Sequence, residues 1–306
     1  MNQSYLDTAR LLTQVAPLVF VDSTFALKGG TAINLFVRDM PRLSVDLDLV
    51  FTDFSLPRAE ALAQIHDAVR QSDRRLTKRG FQTHILADAD AGETKLLVRR
   101  GNIEIKIEVN FVMRGTIHPV RIASLSQRAR AVLMADLEAP LVSLEDMYGG
   151  KLVAAMDRQH PRDLFDVMQL FAHEGMTPAI LQAFVVYLAS HHRPIHEVLF
   201  PVRRDIAQEY ERTFLGMTAE PVALEDLLET RERLLQELRQ GLDARQRNFL
   251  ISLAWNNPDW NQLGISHLPQ LPALRWKLQN LDQLSKANPK KFAMQAAALE
   301  SGLLSD

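Results

Sequence analysis

The sequence contains no cysteine. That excludes disulfides and thiolate metal sites, and it fits a protein of the reducing cytoplasm. No apolar run approaches the ~18 residues needed to span a bilayer, so no membrane segment is expected. Residues 1–20 lack a basic start and carry Asp7 and Arg10 within them, which argues against a secretory leader. Charge of one sign is also missing. A net charge of −2 offers nucleic acid no general attraction, so such a partner would have to be held by a local patch. Internal repeats and low-complexity tracts are absent too. What remains, 47% hydrophobic and 24% charged over 306 residues, is ordinary globular composition with enough chain for two domains or one large one.

The chemistry is densest from Lys28 to Phe51, KGGTAINLFVRDMPRLSVDLDLVF. Gly29-Gly30-Thr31 leaves backbone N–H groups uncovered just where Ala32, Ile33, Leu35 and Phe36 start a helical pattern. A helix N-terminus preceded by glycines suits phosphate; Lys28 adds a mobile cation and Thr31 a hydroxyl. Asp46 and Asp48 sit among Val45, Leu47, Leu49 and Val50, which read as a buried strand. Residues two apart on a strand share a face, about 7 Å apart. At that spacing two carboxylates can converge on a hard cation that prefers oxygen ligands. Taken alone, an Asp-x-Asp is more often the solvated face of an edge strand, and a glycine pair is mostly a turn. Coupled, they suggest glycines holding a triphosphate and carboxylates holding its Mg²⁺.

The spacing of Gly-Gly-Thr and Arg42-x-Ser44-x-Asp46-x-Asp48 resembles the nucleotidyltransferase superfamily, and more narrowly the AbiEii/AbiGii-type toxins with the tRNA-modifying MenT-like enzymes. A second signature of that family, K-L-x-A-x-x-x-R-x-x-x-[KR]-D-x-x-D, is matched at Lys151, Leu152, Ala154, Arg158, Arg162, Asp163 and Asp166. On physics alone these charges could be ordinary helix-face ion pairs, such as Arg162 with Asp166. The resemblance implies an α/β (α+β) fold, with a nucleotidyltransferase-like mixed-sheet domain over 1–140. A helical domain over 141–306 would follow, its first helices, 143–170, completing the active site in a cleft between lobes.

The resemblance also implies Mg²⁺-dependent transfer of a nucleoside monophosphate from an NTP, with two metal ions. Asp46 and Asp48 would be metal ligands. A third carboxylate is best matched by Glu108, which would ligate the second metal and help deprotonate the nucleophile, although the family more often has Asp there. Lys28, the Gly29–Thr31 backbone, Ser44 and Lys106 would hold phosphates. Lys151 and Arg158 would neutralise the β and γ phosphates, Arg162 counts with the nucleotide-binding residues, and Lys151 and Asp163 count with the catalytic set. By family similarity the acceptor would be the 3′ end of tRNA, and the enzyme would be a toxin paired with an antitoxin encoded nearby. A protein side chain or small molecule is the alternative acceptor. A nucleotide sensor without turnover is the alternative class.

Elsewhere the periodicity predicts helices over residues 4–20 and 56–79, the second with Arg70, Arg74, Arg75, Lys78 and Arg79 outward, usually a solvated face. Strands are expected at Phe81–Leu86 and Lys95–Arg100, with a loop at Asp88–Glu93 between them. Residues 103–111 alternate strictly, with Ile103, Ile105, Ile107, Val109 and Phe111 on one face and Glu104, Lys106, Glu108 and Asn110 on the other. A half-exposed strand accounts for that pattern without any chemistry. Residues 112–135 carry Arg114, Arg121, Arg128 and Arg130, a candidate stretch for an RNA backbone. Ser143-Leu144-Glu145-Asp146 reads as a capping box opening a helix. Beyond residue 175 only amphipathic helices are expected, at Thr177–Ser190, Ile206–Leu215, Leu224–Leu242 and Asp243–Trp255. His191-His192 with His196 reads as a solvated helix end rather than a metal site.

Overall fold

The apolar face of residues 103–111 needs a partner layer, and the structure supplies it. The computed structural model describes residues 3–88 and 93–304; most of the loop expected at Asp88–Glu93 lies outside them. The chain divides into two compact units, Met1–Ser143 with Leu215–Pro221, and Leu144–Phe214 with Val222–Asp306.

In the first unit, helix α1 (Gln3–Val19) precedes strand β1 (Phe25–Lys28), a short helix α2 (Gly29–Ala32) that runs on as a π-helical turn over Ile33–Val37, and strand β2 (Leu47–Phe51). Helix α3 (Arg58–Lys78) leads into β3 (Gln82–Asp88), β4 (Glu93–Arg100) and β5 (Ile103–Asn110). Strand β6 (Arg121–Ser124), helix α4 (Gln127–Leu133) and strand β7 (Glu138–Leu141) close the unit. The described strands form one seven-stranded mixed sheet in the order β3-β4-β5-β2-β1-β7-β6. β2 runs parallel to β5 and β1 parallel to β7, while the other neighbours are antiparallel. This is the α/β class that the sequence predicts.

The alternation in β5 decides which face is which. Ile105, Ile107 and Val109 are buried while Lys106, Glu108 and Asn110 stay partly exposed. Val19 of α1 and Val69 of α3 line one small cavity with Leu49, Leu96, Ile107 and Val109 of the sheet. Each such side chain removed from water contributes about 1.5–3 kcal/mol relative to exposure. The polar alternates are thereby left on the opposite face, where the candidate site lies. Leu215–Pro221 joins this unit through backbone bonds to the segment before β2: Leu43 N donates to Met217 O (3.0 Å) and Ala219 N to Pro41 O (2.7 Å).

The second unit begins with α5 (Leu144–Arg158), α6 (Pro161–Ala172) and α7 (Pro178–Ala189). Helix α7 is apolar nearly all round, with Phe184, Val185, Val186 and Leu188 fully or almost fully buried, as a central helix requires. Short helices α8 (Ile195–Leu199) and α9 (Ala207–Thr213) lead to α10 (Leu224–Gly241), α11 (Ala244–Ala254), α12 (Pro272–Ala287) and α13 (Pro289–Leu304). Leu227, Leu234, Leu235 and Leu238 form the buried stripe of α10, and Asp243 with Gln246 makes a capping box on α11. Lys277 donates to the carbonyls of His191 (2.8 Å) and Arg193 (2.6 Å), which ties that histidine-rich helix end down. Among the described residues no helix is long and apolar enough to cross a membrane.

Candidate active site

The glycine pair lies inside the helix rather than before it. Gly29 and Gly30 are the first residues of α2, and Gly29 has φ +75°, a conformation L side chains rarely adopt. A Cβ on Gly29 would lie 2.5 Å from Asp48 Oδ2, and one on Gly30 would lie 2.8 Å from Arg42 Nη2 and 2.9 Å from Ser44 Oγ. The missing side chains are what let the aspartate, the serine and the arginine close on this backbone. Thr31 is 1% exposed. Its Oγ1 donates to the Asp46 carbonyl (2.5 Å) and lies 3.1 Å from Ser44 Oγ. The Thr31 hydroxyl expected for phosphate is thus used to tie α2 to the Asp46 backbone, because a buried hydroxyl must find an internal partner.

Strand β2 begins at Leu47, so Asp46 stands just before it rather than within it. Leu47 is buried and both aspartates are partly exposed, so the two carboxylates remain on the open side. Register then builds a row across the sheet. Asp48 is opposite Lys28 of β1 and beside Glu108 of β5, and Glu108 is opposite Lys95 of β4. The row reads Lys95, Glu108, Asp48, Lys28. Glu108 forms ion pairs with Lys106 (3.0 Å) and Lys95 (3.3 Å). Burial pulls the Lys106 pKa down, but Glu108 and Asp46 outweigh it and hold the ammonium above its ordinary value, with Lys95 opposing. Among the described residues the Asp48 carboxylate has no hydrogen-bond or ion-pair partner.

These residues fit one hard cation and not a three-carboxylate cage. The donors are oxygens of Asp46 and Asp48, and the glycine backbone leaves room beside Asp48 that any Cβ would fill. Mg²⁺ is commonly held by one or two carboxylates with phosphate oxygens completing its shell. Among the described residues no group of three or more His, Cys, Asp or Glu is arranged to hold a metal. Glu108, the residue expected to ligate a second metal, has its charge taken up by two lysines instead.

In the second unit, the Lys-to-Asp signature folds into a buried charge cluster. Lys151 Nζ lies 2.8 Å from Asp163 and 3.0 Å from Asp166, with all three side chains no more than 8% exposed. Arg158, 61% exposed, donates to the other Asp163 oxygen at 2.8 Å. Burial pushes the Asp163 carboxyl up, yet Lys151 and Arg158 overcome it and bring its pKa from 3.8 down to about 2. Helix α5 carries Lys151 and Arg158 on one face, and α6, started by Pro161 with His160 as N-cap, returns Asp163 and Asp166 to them. Asp166 pairs with Lys151 rather than with Arg162, the helix-face pair that physics alone allowed, and Arg162 makes no ion pair among the described residues. Asp163 therefore positions two cations, with both its oxygens engaged.

The sequence matches the family described as "Nucleotidyl transferase AbiEii toxin, Type IV TA system" over residues 10–280. The chain belongs to that family. As an AbiEii nucleotidyltransferase it uses a nucleoside triphosphate. Among solved structures it is similar to "MenT4, nucleotidyltransferase toxin Rv2826c from Mycobacterium tuberculosis H37Rv", with 18% identity, a TM-score of 0.60, and 90% of this chain and 94% of that one covered. At that identity the likeness speaks for the fold. No curated protein matches the sequence.

The structure brings Lys28, Gly29, Gly30, Thr31, Ser44, Asp46, Asp48, Lys106 and Glu108 together in the first unit, and Lys151, Arg158 and Asp163 in the second. Three further neighbours complete these groups. Lys95 reaches Glu108 from β4, Arg42 lies against Gly30, and Asp166 is the second carboxylate on Lys151. Arg42 and Asp166 were already motif positions. Lys95 had no local signal, because only strand register sets it beside Glu108.

Proposed function

We propose that this AbiEii nucleotidyltransferase transfers a nucleoside monophosphate from an NTP to the 3′ end of tRNA in the cytoplasm, as the toxin of a pair whose antitoxin is encoded nearby. The observation that carries the reading is the packing of Gly29 directly against Asp48, with Gly30 against Ser44 and Arg42. Backbone donors and carboxylates are thereby set within one ligand's reach. Asp46 and Asp48 would hold Mg²⁺, which when bound supplies charge neutralisation and polarisation of the phosphates. Lys28, Ser44 and the Gly29–Gly30 backbone hold phosphate oxygens. Lys106, kept fully charged by Glu108 and Asp46, adds a cation beside them. Glu108 acts by orienting Lys106 and Lys95. In the second unit, Asp163 and Asp166 fix Lys151, and Asp163 also holds Arg158.

Exposed arginines favour RNA over other acceptors. Arg121, Arg128 and Arg130 all face solvent around β6 and α4, and Arg128 N is anchored to Asp39 Oδ1 at 2.7 Å. Such cations position phosphodiesters without reading sequence. The test incubates the protein with Mg²⁺, each α-labelled triphosphate in turn, and total RNA or total cell protein. Label in tRNA is the expected result. Label in protein moves the acceptor to a side chain, and nucleotide binding without any transfer overturns the enzymatic reading in favour of a sensor.

A further inference from the structure

We propose that Arg114, with Arg58 beside it, is a recognition site for a single phosphate group, separate from the Asp46–Asp48 carboxylates. Arg114 is 6% exposed, and its Nε and Nη1 are buried with no hydrogen-bond partner among the described residues. Burial lowers its pKa, and the one neighbouring charge that acts on it, Arg58, lowers it further. No described carboxylate offsets either effect. A buried guanidinium with donors unmet is rare, because each unpaired polar group out of water is destabilising. Its planar fork of donors matches the oxygens of a phosphate.

The loop that presents Arg114 is held from both sides. Asn110 Oδ1 accepts from Val112 N (2.8 Å) and Met113 N (2.7 Å), and Arg114 N donates to Val112 O (3.0 Å). Gly115 N donates to Phe51 O (2.8 Å), and at φ +80° Gly115 packs so closely on Phe54 that a Cβ would lie 2.5 Å from Phe54 Cβ. The loop therefore cannot swing to free the guanidinium without breaking these bonds. Arg58 is exposed and opens α3, whose N-cap, Pro57, makes no side-chain cap. Arg121, Arg128 and Arg130 are all exposed, so Arg114 alone among the arginines of this stretch is built in.

A phosphodiester of the acceptor RNA and free inorganic phosphate offer the same oxyanion; the RNA source rests on the function proposed above. The experiment titrates inorganic phosphate into metal-free, nucleotide-free protein and follows the melting temperature. Wild type should rise with phosphate. Arg114→Met should melt higher than wild type without phosphate, since the unmet charge is gone, and should not respond to it. Arg58→Ala, a change at an exposed residue, should fold normally and need more phosphate for the same rise. Asp46→Asn should keep the full response, which separates this site from the nucleotide site. In the RNA arm, Arg114→Met should reduce the slope of log K against log salt by about 0.7, the value for one single-strand contact. An unchanged slope with the phosphate response lost overturns the RNA source and leaves free phosphate as the ligand. No phosphate response in wild type, with Arg114→Met melting lower, overturns the site and makes Arg114 a packing residue.

Discussion

Replacing Gly29 with alanine tests whether the backbone of α2 is there to let Asp48 in. At φ +75° an L residue costs roughly 1–2 kcal/mol. The new Cβ would also lie 2.5 Å from Asp48 Oδ2 and 3.3 Å from its Cβ and Cγ, so the carboxylate must turn away. An off-rotamer side chain adds about 0.5–1.5 kcal/mol, giving a loss of roughly 1.5–3.5 kcal/mol in all. Activity should fall much further, because a misplacement of about 1 Å at a reacting centre can reduce rate by about 100-fold. Gly30→Ala is the control. Its φ is not in the left-handed region, and the nearest atoms to its Cβ would be Arg42 Nη2 and Ser44 Oγ, the ends of side chains rather than backbone. Urea unfolding and labelled-NTP transfer, run on both variants, read the two effects. Wild-type stability in Gly29→Ala would refute the packing argument. A stability loss with undiminished transfer would refute the placement of Asp48 at the reacting centre.

The remaining predictions concern charge. Asp46→Asn and Asp48→Asn should abolish transfer with the fold intact by circular dichroism, whereas Glu108→Gln should retain measurable activity and raise the KM for NTP, since it only releases Lys95 and Lys106; complete inactivity of Glu108→Gln with unchanged KM would restore it as a ligand. Lys151→Ala leaves Asp163 and Asp166 buried without their shared cation and should destabilise by about 3–5 kcal/mol, read by denaturant midpoint, with Lys151→Arg losing less. The Asp163 carboxyl has its folded pKa lowered to about 2, so it stabilises the fold above its unfolded value of 3.8 and that stability is lost as pH falls toward 2. At about 1.36 kcal/mol per pH unit this is roughly 2 kcal/mol, and Asp163→Asn should flatten the acid limb of the melting curve. Arg121→Ala with Arg128→Ala should weaken tRNA binding and its salt dependence while leaving triphosphate binding unchanged by calorimetry.

The residues whose chemistry depends on near neighbours were legible without coordinates. The Lys151-to-Asp166 signature was legible only through the family resemblance, whereas Gly29-Gly30-Thr31 and Ser44-x-Asp46-x-Asp48 each lie within one short local pattern that the sequence shows directly. The same holds for β5, whose alternation separates Ile107 from Glu108. Partners supplied from other strands were not legible. That Glu108 is neutralised by Lys95 follows from the pairing of β4 with β5, and that it lies beside Asp48 follows from the parallel pairing of β2 with β5. Four-residue strands such as β6 and β7, the latter carrying Pro140, are too short for a period to show. The return of Leu215–Pro221 to the first unit depends on backbone bonds to residues more than 170 positions away, Pro41 and Leu43. Arg114 and Arg128 are the same residue type in one arginine-bearing stretch, yet one is buried and the other exposed. Composition and spacing carry what one segment does by itself; burial and register are properties of the assembled sheet, and here they decide which charges are free to act.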